Sequence, residues 1–166
     1  MTKRLYLPKI KNVELSLPNR VQSLSGNRVQ RLKRRALRFL ADAKADFNDG
    51  YYDLAAFHVE QALQLYIKAI IFELFGREYE GHGIRELLGY LSKLLKDNGY
   101  DELLRRVIDL TRDLRDEMVS IEHAYIDSRY EDVDYYSDES KELIETAEKV
   151  IGFLEEVDKG VKLGRV

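Results

Sequence analysis

Apolar residues recur along most of the chain at intervals of three and four, the period of an amphipathic α-helix. Val29, Leu32, Ala36, Phe39, Leu40, Ala43 and Phe47 predict a first long helix from about Asn27 to Asn48, closed by Gly50. A second runs from about Tyr52 to Phe75 and stops at Gly76. Ile84, Leu87, Leu88, Leu91, Leu94 and Leu95 mark a third, ending at "DNG". Leu103, Leu104, Val107, Leu114, Met118, Ile121 and Tyr125 place a fourth between about Asp101 and Tyr125. A fifth begins near Ser137, read as its N-cap with Asp138 and Glu139 in the first turn, and buries Leu143, Ala147, Val150, Leu154 and Val157.

No segment alternates in the manner of a strand, and both prolines, Pro8 and Pro18, precede the first helix. The fold class expected is all-α, an antiparallel up-and-down bundle of four to five helices with a basic N-terminal arm. The arm covers residues 1–26, the bundle 27–160 and a short tail 161–166. At 166 residues the chain is long enough to fold on a single core.

Charge sharpens the picture of the first segment. Residues 1–38 hold eleven Lys or Arg against one acid, Glu14, whereas the whole chain carries a net charge of −3. A basic leading segment on an acidic body attracts phosphates, or docks on its own body or a partner's. On the first helix Arg28, Arg31, Arg35 and Arg38 form one basic face, a candidate nucleic-acid contact. There are no cysteines, which excludes disulfides and thiolate metal sites, and the three histidines are too scattered for zinc. No apolar run has the length of a signal peptide or a membrane span, so a cytoplasmic protein without membrane contact is expected. The absence of Cys and the 34% charged content suit a thermophile. The acidic stretch "DSRYEDVDYYSDES" lacks the Gly turn of a calcium loop and reads as a solvated connection.

The second helix holds the chemical puzzle. In "FHVEQALQLYIKAIIFELFG" the polar residues Gln61, Gln64 and Lys68 fall on one narrow stripe at about 100° per residue, bordered by Leu54, Phe57, Leu65, Phe72 and Phe75. Buried polar groups need hydrogen-bond partners. Two environments supply them: a satisfied network between helices, or a cleft where a ligand phosphate binds. The surplus of large apolar residues on the same helix predicts a subunit interface.

The segment "FLADAKADFNDGYYDLAAFHVEQALQLYIKAIIF" resembles the first helical hairpin of HEPN domains (higher eukaryotes and prokaryotes nucleotide-binding). The Gly50-Tyr51-Tyr52-Asp53 turn, the pair Gln61-Ala62, Lys68, the His82 of "GHGIRELL" and the Arg129-Tyr130 of "AYIDSRY" follow the family's order over about residues 36 to 135. Two positions depart from it: Gln64 stands where the family has an acid, and Glu131 where it has a proline.

The resemblance implies a dimeric module that binds a nucleotide or RNA and can partner a minimal nucleotidyltransferase, as in toxin–antitoxin pairs. Gln61, Gln64, Lys68, His82, Arg129 and Tyr130 are then the ligand-binding residues, with no cofactor or metal required. The alternative is a metal-independent endoribonuclease, which needs a His for proton transfer and an Arg for phosphate charge. Its candidates are Arg112, Arg115 and His123, although seven residues separate Arg115 from His123, one too many for the family motif. The two also lie about 80° apart on an ideal helix, against about 20° for Arg112 and His123. A third reading is a structural interaction protein whose apolar faces serve dimerisation alone.

Overall fold

The computed structural model describes residues 19–130 and 134–164, and side chains from Ser25 to Asp127 and from Asp134 to Gly164. Every regular element among them is helical: α1 (Asn19–Asp49), α2 (Tyr52–Phe75), α3 (Ile84–Asp97), α4 (Asp101–Asp113), α5 (Arg115–Tyr130) and α6 (Ser137–Lys162).

α2 is the axle of the fold. It packs on α1 along most of its length and also touches α3, α5 and α6. Ala55, Ala56, Ala62 and Ala69 of α2 and Ala36 and Ala43 of α1 are buried. Their small side chains let the helices of the α1–α2 hairpin approach closely. Around them Leu63, Ile67, Ile70, Leu87, Leu91, Met118, Ile121 and Leu143 are fully enclosed. The hairpin turns where the sequence signals it. Gly50 takes a φ of 85°, and the Tyr51 N–H donates back to the Asp46 carbonyl at 2.8 Å, closing α1 in a Schellman-type bond.

Several boundaries differ from the sequence expectation. α1 starts at Asn19 and not near Asn27, so residues 19–26, read as arm, are helical. The single fourth helix expected over 101–125 is two helices, broken at the buried Leu114, whose φ of −106° and ψ of 25° leave the α region. No proline or glycine marks that break. It follows from packing, because α4 lies chiefly on α3 while α5 lies on α2 and α6. At the last helix Tyr136 occupies the N-cap position and Ser137 is the first helical residue, without a side-chain cap. α6 then continues through Lys162, two residues into the expected tail. Residues 1–18 of the arm and residues 131–133 of the acidic connection lie outside the described residues.

Candidate functional site

The polar stripe of α2 is organised around an acid that the sequence pattern did not single out. Glu60 is only 3% exposed. Gln61 Nε2 donates to one of its oxygens at 2.7 Å and Gln64 Nε2 to the other at 3.1 Å. Gln64 Nε2 donates also to the His82 carbonyl at 3.2 Å, so the two hydrogens of one amide tie a buried acid to the segment before α3. Burial pushes the Glu60 carboxyl up to about 7, against the pull of the two amides; nearby Glu122 pushes the same way and Lys68 opposes it. The acid of the stripe sits one turn before Gln64, at Glu60.

Lys68 continues that ridge eight residues beyond Glu60, and its Nζ lies 3.3 Å from His82 Nδ1. An ammonium only donates, so Nδ1 is the accepting atom in this contact. Glu122 of α5 is held from the other side by α3. Arg85 donates to it through its backbone N at 2.8 Å, Nε at 3.1 Å and Nη2 at 2.8 Å. The stripe, the His82 segment and the α3–α5 contact form one connected polar layer.

Past Lys68 the layer opens into a cavity of about 200 Å³. Arg28 of α1, Lys68 and Phe72 of α2, and Arg77 to Glu80 of the following segment line it. The Arg28 guanidinium lies 4.7 Å above the Phe72 ring and pairs with Glu78. Tyr79 is held by a 2.6 Å hydrogen bond to Glu86 and by stacking on Tyr90. Gly81 permits this arrangement, since a Cβ there would stand 2.3 Å from the Tyr79 ring and 2.8 Å from the Glu86 carboxylate.

The structure places Gln61, Gln64, Lys68 and His82 in one polar layer together with Glu60, Arg85 and Glu122. Of the basic face of α1, Arg28 enters the cavity; Arg31 and Arg35 are exposed, and Arg38 pairs with Asp42 on its own helix at 2.9 Å. Arg129 and Tyr130 belong to the last turn of α5, and their side chains lie outside the described residues. Arg112 and Arg115 share a separate groove of about 410 Å³ with Arg85, Ser92, Ile108 and Thr111. His123 is exposed on α5 and is not part of that groove. Eight residues along one helix separate it from Arg115 by about 12 Å of rise. The break at Leu114 also removes the continuous helix on which Arg112 and His123 would align.

The other polar and aromatic residues singled out serve packing. His58 pairs with Asp46 at 2.6 Å, between the rings of Phe39 and Phe57. Phe57 stacks on Tyr125, while Leu65 and Phe75 lie against the core. Leu54 alone of the five apolar residues bordering the stripe is exposed, at 40%. Among the described residues no helix is long and apolar enough to cross a membrane.

Comparison with known proteins agrees with this architecture. The family model described as HEPN domain matches residues 29–157. Among solved structures, the chain is similar to TT1696 from Thermus thermophilus, with 26% identity and a TM-score of 0.62. The alignment covers 78% of this chain and 98% of that one. No curated protein matches.

Proposed function

This chain belongs to the HEPN domain family, and from that premise we propose that it is a dimeric module binding the phosphate of a nucleotide or RNA at Lys68. The observation that carries this reading is the convergence of Arg28, Lys68 and Arg77, from three separate segments, on one small cavity. Arg28 is engaged by Glu78, which leaves Lys68 and Arg77 as the cations for an incoming anion. An ammonium acts there as a compact point charge and a guanidinium as a planar fork, a pairing suited to phosphate oxygens.

The cavity volume narrows the ligand. Pockets for whole drug-sized ligands run to roughly 300–1,000 Å³, and this one holds about 200 Å³. A phosphate with part of its ribose fits inside, and the base lies at the mouth beside Phe72 and Arg28. Glu78 and Glu80 line the same wall and disfavour a long anionic track. A terminal phosphate is accordingly preferred over an internal phosphodiester.

Calorimetric titration with AMP, adenosine, and an oligoribonucleotide with and without a 5′-phosphate tests the reading. The phosphorylated ligands bind and the others do not, and Lys68→Ala weakens binding by about tenfold or more, the loss of one charge-assisted contact. Equal binding of adenosine and AMP, or a Lys68→Ala variant that binds like the parent chain, would overturn it.

A further inference from the structure

The groove that holds Arg112 and Arg115 lies apart from the Lys68 cavity and differs from it in kind. Residues Asn98 to Tyr100 join α3 to α4, and Gly99, at a φ of 81°, turns the chain back. α4 therefore returns along α3, with Arg85 level with Arg112 and Gly89 level with Ile108. Arg85, Arg112 and Arg115 gather at one end of the groove, and Gly89, Ser92 and Ile108 form the other.

The second end asks for hydrocarbon. Ser92 donates its hydroxyl hydrogen to the Leu88 carbonyl at 2.9 Å, and Thr111 donates to the Val107 carbonyl at 2.8 Å, each within its own helix. Ile108 is 48% exposed. Gly89 is exposed in the middle of α3, where a glycine weakens the helix. A Cβ there would meet nothing within 4 Å, so the chain's own packing does not require the glycine. Its effect is to widen the groove beside Ile108.

The first end is short of counter-charge. Arg85 is committed to Glu122. Arg112 lies 2.8 Å from Asp109 and 3.4 Å from Asp113, but all three side chains are more than half exposed, and such pairs yield readily to a better partner. Arg115, exposed at the start of α5, makes no ion pair among the described residues. Among those residues no carboxylate lines the groove, whereas Glu78 and Glu80 line the Lys68 cavity.

Size and lining select the occupant. The groove holds about 410 Å³, within the range of roughly 300–1,000 Å³ for small-molecule sites. From Arg85 to Ser92 α3 rises only about 10 Å, a short seat for a protein segment. No aromatic ring among the described residues lines it, so a nucleic-acid base has nothing to stack on. A guanidinium fork matches a carboxylate or a phosphate, and the far end accepts an apolar body.

We infer that the α3–α4 groove binds a small amphipathic organic anion, with its carboxylate or phosphate head on Arg115 and Arg112 and its apolar body over Gly89 and Ile108. The site is separate from Lys68, and the inference does not rest on the function proposed above.

Nuclear magnetic resonance of isotope-labelled protein, titrated with octanoate and with octyl phosphate, tests it. Either probe shifts the backbone amides of Gly89, Ser92 and Thr111 saturably, and the tighter of the two identifies the head group. Octanol binds at least about tenfold more weakly, for want of a charge-assisted contact. Acetate and inorganic phosphate leave these amides unmoved. Each methylene removed from octanoate weakens binding by about two- to fourfold, as for a buried CH₂. Arg115→Gln weakens it by about tenfold. Gly89→Leu fills the groove with a helix-favouring side chain, and it abolishes binding without lowering the unfolding midpoint. Lys68→Ala leaves binding intact. Silence of the three amides with both probes would overturn the inference, as would octanol binding as tightly as octanoate. Acetate or inorganic phosphate binding as tightly would leave an ion contact only and overturn it too. So would an Arg115→Gln or Gly89→Leu variant that binds octanoate like the parent chain. An oligoribonucleotide that displaces octanoate from the same amides would make the groove a nucleic-acid contact instead.

Discussion

Glu60 and Glu73 are the same residue type on the same helix, thirteen positions apart, and their carboxyls are displaced in opposite directions. Glu60 meets two neutral amides and another acid in a buried setting, and its carboxyl is raised to about 7. Glu73 is also penalised by burial, but the hydrogen bonds and charges of Lys162 and Lys33 outweigh that and lower it. Lys33 of α1 lies 2.6 Å from Glu73, and Lys162 of α6 lies 2.8 Å from both Glu73 and Asp158. Burial alone thus does not set the state of an acid. The charge of its partners decides whether it clasps three helices as an anion or stays poised near neutrality.

Removing the clasp is the largest way to break this comparison. Lys33 is 14% exposed and bridges Glu73 and Glu155. Lys33→Met leaves Glu73 with Lys162 alone and destabilises the bundle by about 2–3 kcal/mol at neutral pH, as for an acid stripped of a partly buried partner. Urea unfolding measures it. Because folding lowers the Glu73 carboxyl, the clasp's contribution is present above the ordinary carboxylate range and is lost as pH falls through the folded value. The difference between parent and Lys33→Met therefore shrinks in acid.

Glu60 has the opposite sign. Its carboxyl is raised in the folded chain, so its contribution is fully present below 4.5 and is lost as pH rises toward 7. Glu60→Gln keeps a hydrogen-bonding side chain and discards the charge. Above pH 7 it is expected to stabilise the fold by about 2 kcal/mol, scaled from roughly 1.4 kcal/mol per pKa unit and reduced for local rearrangement. Below pH 4.5 it should be nearly neutral. Thermal unfolding at pH 4 and 8 compares the two limits, and equal shifts at both would remove Glu60 from the account.

The smallest effect belongs to Lys162. Its side chain is 51% exposed, and Lys162→Ala should cost at most about 1 kcal/mol, the range of solvent-screened pairs. A loss as large as that of Lys33→Met would mean that the outer lysine holds the node.

Most of the helical architecture is legible in the sequence, since each helix carries its apolar stripe and the hairpin its Gly50 turn. The break at Leu114 is not, because tertiary packing imposes it on a stretch with uninterrupted helical periodicity. The early start of α1 is masked by Ser23, Ser25 and Gly26, poor helix formers that the long α1 nonetheless incorporates. In the candidate site, Gln61, Gln64, Lys68 and His82 announce themselves by spacing and resemblance. Glu60 stands beside them but looks like one more polar interruption of an apolar run, although it shares an i, i+4 ridge with Gln64. Arg85 and Glu122 are 37 residues apart, and only the fold brings them together.

The amide of Gln64, with one hydrogen on Glu60 and the other on the His82 carbonyl, gives the cavity a chemical meter. On the proposed reading, an anion on Lys68 would offset a cation that favours ionised Glu60 and add negative charge nearby. Glu60 then draws a hydrogen ion from solution. By reciprocity, acidifying the medium tightens the hold on that anion. If the proposed anion binds at this rim, its heat of binding is expected to change with the buffer's ionisation enthalpy, and equal heats in buffers of different ionisation enthalpy would remove Glu60 from the linkage.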